Sequence, residues 1–330
     1  MLNEKIYDLD HCELSDRNGM YGGQAGSKEG ILFHDTYWIV KYPKSTKSME
    51  INDQSYTTAP LSEYIGSHIY QILGYDVHET ILGYRNQKIV VACKDFCKHP
   101  GDLREIRTLK NVYNKELEQI LDRELHTTGS THSVDLKELL IHLENNPILS
   151  KIPGIKERFW ECALIDAFIK NNDRNNGNWG LLFENKEYRL APIYDNGAAF
   201  SNKLSENRIQ RMMQSPGMLR NHAMNSVTCY SIEEHQLNLS RLIKLDDMDL
   251  KKAVVKVVPL IKDKLPEIKH FINNIPDHFK GLDICSPLRK DFYIKGLEIR
   301  ERDIMIPEYK NIIKDHPKLL ENKKISCRIR

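Results

Sequence analysis

The stretch that most constrains this chain is an apolar run broken by a polar loop. Ile155 to Lys170 carries Phe159, Trp160, Ala163, Leu164, Ala167 and Phe168, and Asn172-Asp-Arg-Asn-Asn-Gly-Asn178 follows at once. A run that apolar predicts a helix buried in a core, because helical spacing leaves it no polar face. All seven residues of that loop favour turns or polar surfaces, so the helix must stop there. Beyond the loop, Trp179-Gly-Leu-Leu-Phe183 and Tyr188-Arg-Leu-Ala-Pro-Ile193 flank a polar Glu184-Asn-Lys-Glu187, which predicts a hairpin. The second strand runs into Tyr194-Asp-Asn-Gly197.

Elsewhere the texture changes once. Ile31-Leu-Phe33 and Trp38-Ile-Val-Lys-Tyr42 are two β-rich runs around His34-Asp-Thr36, a predicted hairpin. Thr58 is placed to cap a helix with Pro60 in its first turn, an apolar stripe at Leu61, Ile65, Ile69, Ile72 and Leu73, and a stop at Gly74. Ile81 to Tyr84 and Lys88 to Cys93 form a second strand pair around Arg85-Asn86. After His99 helices are expected: Asp135 to Asn145, the apolar helix above, and a helical pattern from Ser231 onward. The expected fold is α+β with two lobes in the manner of protein kinases. Residues 1–98 make a β-rich lobe, and residues 99–330 a mainly helical lobe with an inserted hairpin.

Composition supports a globular chain and excludes several classes. The 330 residues carry 48 basic and 46 acidic side chains, a net charge of +2, so no charge excess points to direct nucleic-acid binding. The segment from Leu320 to Arg330 is locally basic and reads as a solvated tail. The first ten residues are polar and acidic, unlike a secretory signal, and no apolar run is long enough to span a membrane. Seven cysteines without framework spacing suggest free thiols and a cytoplasmic setting. Cys93, Cys97 and His99 lie close together, but the irregular spacing and the lack of a second ligand pair argue against zinc.

The polar loop and the hairpin after it carry chemistry that fits phosphoryl transfer. That reaction needs an acidic group at the attacking hydroxyl and oxygen ligands for magnesium. Asp173 is the candidate to accept or orient the proton, and Asn178, five residues on, offers a neutral carbonyl oxygen to a metal. Taken alone, the loop is equally an Asn/Gly-rich surface turn. Asp195, delivered by the hairpin that starts just after Asn178, is the second metal ligand and favours the catalytic reading over a plain Asp-Asn-Gly turn. Near the N-terminus, Gly22, Gly23 and Gly26 would let backbone N–H groups approach phosphate oxygens, although neither a P-loop nor a dinucleotide fingerprint is present. Lys41, thirteen residues past Lys28, is the candidate phosphate lysine. One such contact at about 4 Å is worth on the order of 4 kcal/mol before desolvation. Glu63 lies off the apolar stripe of its helix, where it either fixes Lys41 or is solvated. Ala92 to Phe96 would present backbone to adenine, chiefly at Ala92, Lys94 and Phe96.

Five motifs in order resemble those of the HipA-like serine/threonine kinases: GGQAGSK (22–28), WIVKYP (38–43), SEYIGSHIYQILGYDV (62–77), DRNNGN (173–178) and APIYD (191–195). The short chain and the motif forms look closest to that family's cell-translocating kinase group of Helicobacter. The resemblance covers Tyr21 to Gly197. It implies ATP and Mg2+, with Asp173 as acid/base, Asn178 and Asp195 as metal ligands, and Lys41 as the phosphate lysine. Gly23, Gln24, Ala25, Gly26, Ser27 and Lys28 would cover the nucleotide. Family members phosphorylate themselves on a serine seven residues before the loop lysine, an offset that falls here on Tyr21, with Ser15 and Ser27 nearby. Three departures matter. The family's extra N-terminal domain has no room before the glycine loop, which argues against an antitoxin partner. Arg174 and Asn175 stand where a catalytic-loop His is usual. The DRxxxN form also resembles lipid kinases, so a lipid or small-molecule acceptor stays open, as does a nucleotide-binding module without transfer. By resemblance alone, an effector exported without a Sec signal is compatible with the chain.

Overall fold

The computed structural model describes residues 5–21, 27–47, 54–124 and 133–320. Gly22 to Gly26 of the glycine-rich loop and the basic tail 321–330 lie outside the described residues. The architecture is the expected mixture of a β-sheet lobe and a helical region. It divides into two units, each assembled from three stretches: 1–104, 178–218 and 266–294 in the first, and 105–177, 219–265 and 295–330 in the second. No described helix is long and apolar enough to cross a membrane.

The first unit is built on a five-stranded sheet. Its strands are β1 (Tyr7–Asp8), β2 (Lys28–Phe33), β3 (Thr36–Lys41), β4 (Thr80–Arg85) and β5 (Lys88–Lys94), in the order β1-β4-β5-β3-β2. Both predicted hairpins are present, with Phe33 opposite Thr36 and Arg85 opposite Lys88. Their turns put His34, Asp35, Asn86 and Gln87 at positive φ. Two-residue turns of this hand match the twist of the strands, and His, Asp and Asn tolerate the conformation better than most side chains. Leu9, Ile31, Trp38, Val40, Ile81, Val90 and Ala92 pack into one core. β1 lies parallel to β4 with Tyr7 opposite Gly83, where an added Cβ would stand 2.5 Å from Leu9 Cδ1. Only glycine admits that approach without displacing the core leucine.

Helix α1 (Ala59–Ile72) starts and stops where the sequence predicts. Gly74, at φ +80°, ends it with Gly74 N–H on Gln71 O and Tyr75 N–H on Tyr70 O, a Schellman closure. Two features differ from expectation. The Thr58 hydroxyl donates to Asn202 O at 3.2 Å instead of capping the helix. The helix is also buried on nearly every side, Ser62, Glu63, Ser67 and His68 included, and not along a stripe. Phe271, from the first unit's last stretch, stacks on His68 at 4.9 Å and lies 5.6 Å from Tyr64, covering the face that sequence periodicity leaves to solvent.

In the second unit the apolar helix spans Ile155–Ile169, and Lys170 closes it in the left-handed conformation. Asp135 caps the helix Leu136–Asn145 by accepting from Glu138 N–H at 2.8 Å. The helical pattern expected from Ser231 is corrected here. Val227–Ile232 and His235–Asn238 form a hairpin about Glu233 and Glu234, and Val134–Asp135 pairs parallel beside it. Two glutamates, good helix formers, sit in the turn and disguise it.

Candidate functional site

The hairpin after Asn178 spans Gly180–Glu184 and Glu187–Leu190, with Leu181 opposite Leu190 and a turn at Asn185 and Lys186. Its exit strand then meets the segment that follows α1. Ile193 N–H donates to Asp76 O and His78 N–H to Ile193 O, both at 2.9 Å. Asp195 therefore stands two residues beyond a fixed point. Its φ of +62° is uncommon for a side chain other than glycine.

Three of the sequence candidates meet in the first unit. Lys41 Nζ lies 2.7 Å from Asp195 Oδ1 and 3.0 Å from Glu63 Oε2. Lys41 is the last residue of β3, opposite both Lys28 on β2 and Val91 on β5, so its backbone is fixed from two sides. Glu63 comes from the buried α1 and is itself 1% exposed, which removes the solvated alternative. Burial would push the Lys41 ammonium down, but the Asp195 and Glu63 carboxylates outweigh it and hold it well above its ordinary value. Lys41 in turn holds the Asp195 carboxyl below the usual range. For Glu63 burial acts upward, and Lys41 and His78 override it to keep the carboxyl low.

Around this triad lie residues that sequence reasoning missed. His78 Nε2 is 3.1 Å from Glu63 Oε1, and Asn196 N–H donates to the same oxygen at 2.9 Å. Glu63, His78 and Cys93 bring a carboxylate oxygen, an imidazole nitrogen and a thiol within 4.8 Å of one another. Both Glu63 oxygens already accept hydrogen bonds, from Lys41 and from Asn196 N–H, so Glu63 sits in a hydrogen-bonded network.

The remaining candidates are placed as follows. Ser27 and Lys28 lead into β2, while Gly23, Gln24, Ala25 and Gly26 fall outside the described residues. Ala92 is buried between Val40 and Ile81, Lys94 pairs with Glu79, and the Phe96 ring lies 5.7 Å from that of Tyr194. Tyr21 donates its hydroxyl to Asp95 Oδ2 at 2.9 Å, and burial followed by that carboxylate pushes its pKa far up. Arg17 grips the same carboxylate at 2.9 Å and Cys97 O at 2.8 Å. Ser15 is buried.

Asp173 belongs to the second unit, in a loop fastened from within. Arg174 is buried, with Nε 2.8 Å and Nη2 3.1 Å from the two carboxylate oxygens of Asp166. Asn171 adds Nδ2 on Asp166 Oδ1 at 2.9 Å and its N–H on Asp166 O at 2.7 Å. Asn175 donates to Asp173 Oδ1 at 2.8 Å and accepts from Gly177 N–H at 2.8 Å. The loop is thus anchored by a buried ion pair, while Asn172 and Asp173 themselves are exposed. The run of asparagines in the sequence gives no sign of that anchor. Asn178 opens the stretch of the first unit that carries Asp195.

No family model matches the chain. Among curated proteins, the serine/threonine-protein kinase CtkA of Helicobacter pylori strain J99 is 29% identical over 303 residues, 90% of this chain and 86% of that protein. The crystal structure of the Helicobacter pylori proinflammatory kinase CtkA superposes with a TM-score of 0.76 at 26% identity, covering 94% of this chain and 99% of that one. A HipA–HipB–operator DNA complex of Shewanella oneidensis MR-1 reaches a TM-score of 0.48 at 13% identity, over 88% and 69%, and at that distance nothing here rests on it. In sequence along nine-tenths of its length, and in fold, this chain is similar to the Helicobacter kinase CtkA, and it is a phosphotransferase.

Proposed function

We propose that this chain is an ATP- and magnesium-dependent protein kinase acting on serine or threonine, with tyrosine as the alternative acceptor. The observation that carries the reading is Lys41 held between Glu63 and Asp195, at 3.0 and 2.7 Å. An ammonium fixed by a helix-borne glutamate is the arrangement that kinases use to orient the α- and β-phosphates. With a nucleotide bound, Lys41 would face its phosphate oxygens, and Asp195 and Asn178 would offer hard oxygen donors suited to magnesium. Bound magnesium supplies charge neutralisation at the transferring phosphoryl group. Asp173 accepts the proton of the acceptor hydroxyl, and Asn175 fixes the rotamer in which it does so. Gly23 to Lys28 would cover the phosphates, and the end of β5 with the residues after it, within Ala92 to Phe96, would receive adenine. Self-modification is assigned to Tyr21, or to the neighbouring Ser15 or Ser27.

Incubation of the purified chain with γ-labelled ATP and magnesium tests this reading. Label on protein is expected. Label found only on added lipid or metabolite would replace it with a lipid or small-molecule kinase, and nucleotide binding without transfer would make the chain a pseudokinase. Asp173→Ala and Asp195→Ala should each abolish transfer, and full activity in either would remove that residue from the site. Phosphosite mapping of active enzyme that finds none of Tyr21, Ser15 and Ser27 modified would reject the self-modification assignment.

A further inference from the structure

Glu63 receives three donors on two oxygens. Oε2 takes Lys41, while Oε1 takes Asn196 N–H and lies 3.1 Å from His78 Nε2. An ionised carboxylate only accepts, so His78 must carry its proton on Nε2. The same nitrogen is 3.0 Å from Ser67 Oγ, and Ser67 Oγ receives Asn196 Nδ2 at 2.9 Å. The contacts close a ring from Glu63 through His78 and Ser67 to Asn196 and back to Glu63. Every member is buried, with Asn196 at 0% and Glu63 and Ser67 at 1% exposure. Ser67 and Glu63 stand four residues apart on α1 and so share one face. His78 is carried in by the pairing of its backbone with Ile193, and Asn196 follows the left-handed Asp195 directly.

We infer that His78 is a positioning residue for phosphoryl transfer: by holding Glu63 Oε1 it reserves Oε2 for Lys41, and through Ser67 it locks Asn196, the neighbour of Asp195. The inference rests on the reading of Lys41, Glu63 and Asp195 as the nucleotide and metal cluster. Without the imidazole, one N–H remains on Oε1 and the carboxylate can turn away from Lys41. The ammonium then keeps a single carboxylate partner, Asp195, and competes there with the metal. Loss of His78 should therefore appear first as a higher magnesium requirement, which a loss of folding stability alone would not produce.

The experiment uses the full chain and titrates magnesium against binding of a fluorescent ATP analogue, with melting temperatures recorded for each variant. His78→Leu is expected to raise the half-saturating magnesium concentration by about 10- to 100-fold, the usual effect of losing an outer partner of a metal or catalytic group. His78→Gln, whose amide N–H can reach Oε1, should stay near the wild type. An unchanged magnesium requirement in His78→Leu, or equal impairment of the Leu and Gln variants, overturns the inference. Should His78→Leu fail to fold, Ser67→Ala is titrated in its place, and a wild-type requirement there overturns it equally. Lys41→Ala separates the two levels of argument. If that variant keeps wild-type magnesium-dependent binding, the nucleotide-site reading itself fails; if it loses binding while His78→Leu stays normal, only the positioning role fails.

Discussion

Lys41 and Asp195 lie 154 positions apart in the chain, yet each alters the ionisation of the other. The depressed Asp195 carboxyl contributes stability that is present above the ordinary carboxylate pKa and is lost as pH falls through its lowered folded value. The raised Lys41 ammonium contributes stability present below the ordinary lysine pKa and lost as pH rises through its folded value. Between those limits the pair is insensitive to pH. Thermal melts of the wild type and of Lys41→Met, taken from neutral pH down to about pH 3, should differ by a constant amount and then converge at the acid end, near and below the carboxylate range. Divergence on acidification would contradict the pairing. At this scale the sequence was partly legible. Lys41 and Asp195 announce themselves through flanking strands, and Glu63 through its place off the helix's apolar stripe, whereas Ser67 and His78 look like the polar side of an amphipathic helix and its exit. Only the backbone pairing of His78 with Ile193 gathers them.

Elements hold the candidate site in two different ways. In the first unit a sheet and a buried helix place Lys41 and Glu63. In the second, the loop 171–177 hangs from one helix through Asp166 and Arg174. Replacing Arg174 by Met would leave the Asp166 carboxylate buried and unpaired, a change that typically costs about 3–5 kcal/mol. Denaturant unfolding should show that loss. Asp166→Asn, which leaves the buried Arg174 guanidinium without its counter-charge and turns an NH2 donor toward the donors of Arg174 or Asn171, should cost a similar amount. Hairpins were readable from their turn residues, and helix ends from Pro60 and Gly74. The hairpin about Glu233 and Glu234 was not, because side chains that prefer helices occupy its turn and its strand Val227–Ile232 is read only when Val134–Asp135 lies beside it. The all-round burial of α1 was hidden for the same reason: its cover, Phe271, is remote in sequence.

For the whole molecule, neither unit is one continuous stretch of chain, and the helix Met248–Asn274 contributes residues to both. A fragment ending at residue 218 would keep the sheet and α1 but lose Phe271 from Tyr64 and His68, and Arg289 from Glu206 and Leu204 O. Such a fragment should be insoluble or lack a cooperative melt, while the full chain melts cooperatively; a soluble, cooperatively folding fragment would show that the later stretch is dispensable. Local periodicity places elements well, but it carries no information about which distant stretch completes a core. The triad of Lys41, Glu63 and Asp195 has one last implication. Two carboxylates face a single ammonium. Counting only those three groups, the resting site carries one uncompensated negative charge, and a bare triphosphate meets like charge there. A nucleotide arriving with its counter-ion already bound does not, so the ion's occupancy in solution, as much as the nucleotide's concentration, governs how readily the site fills.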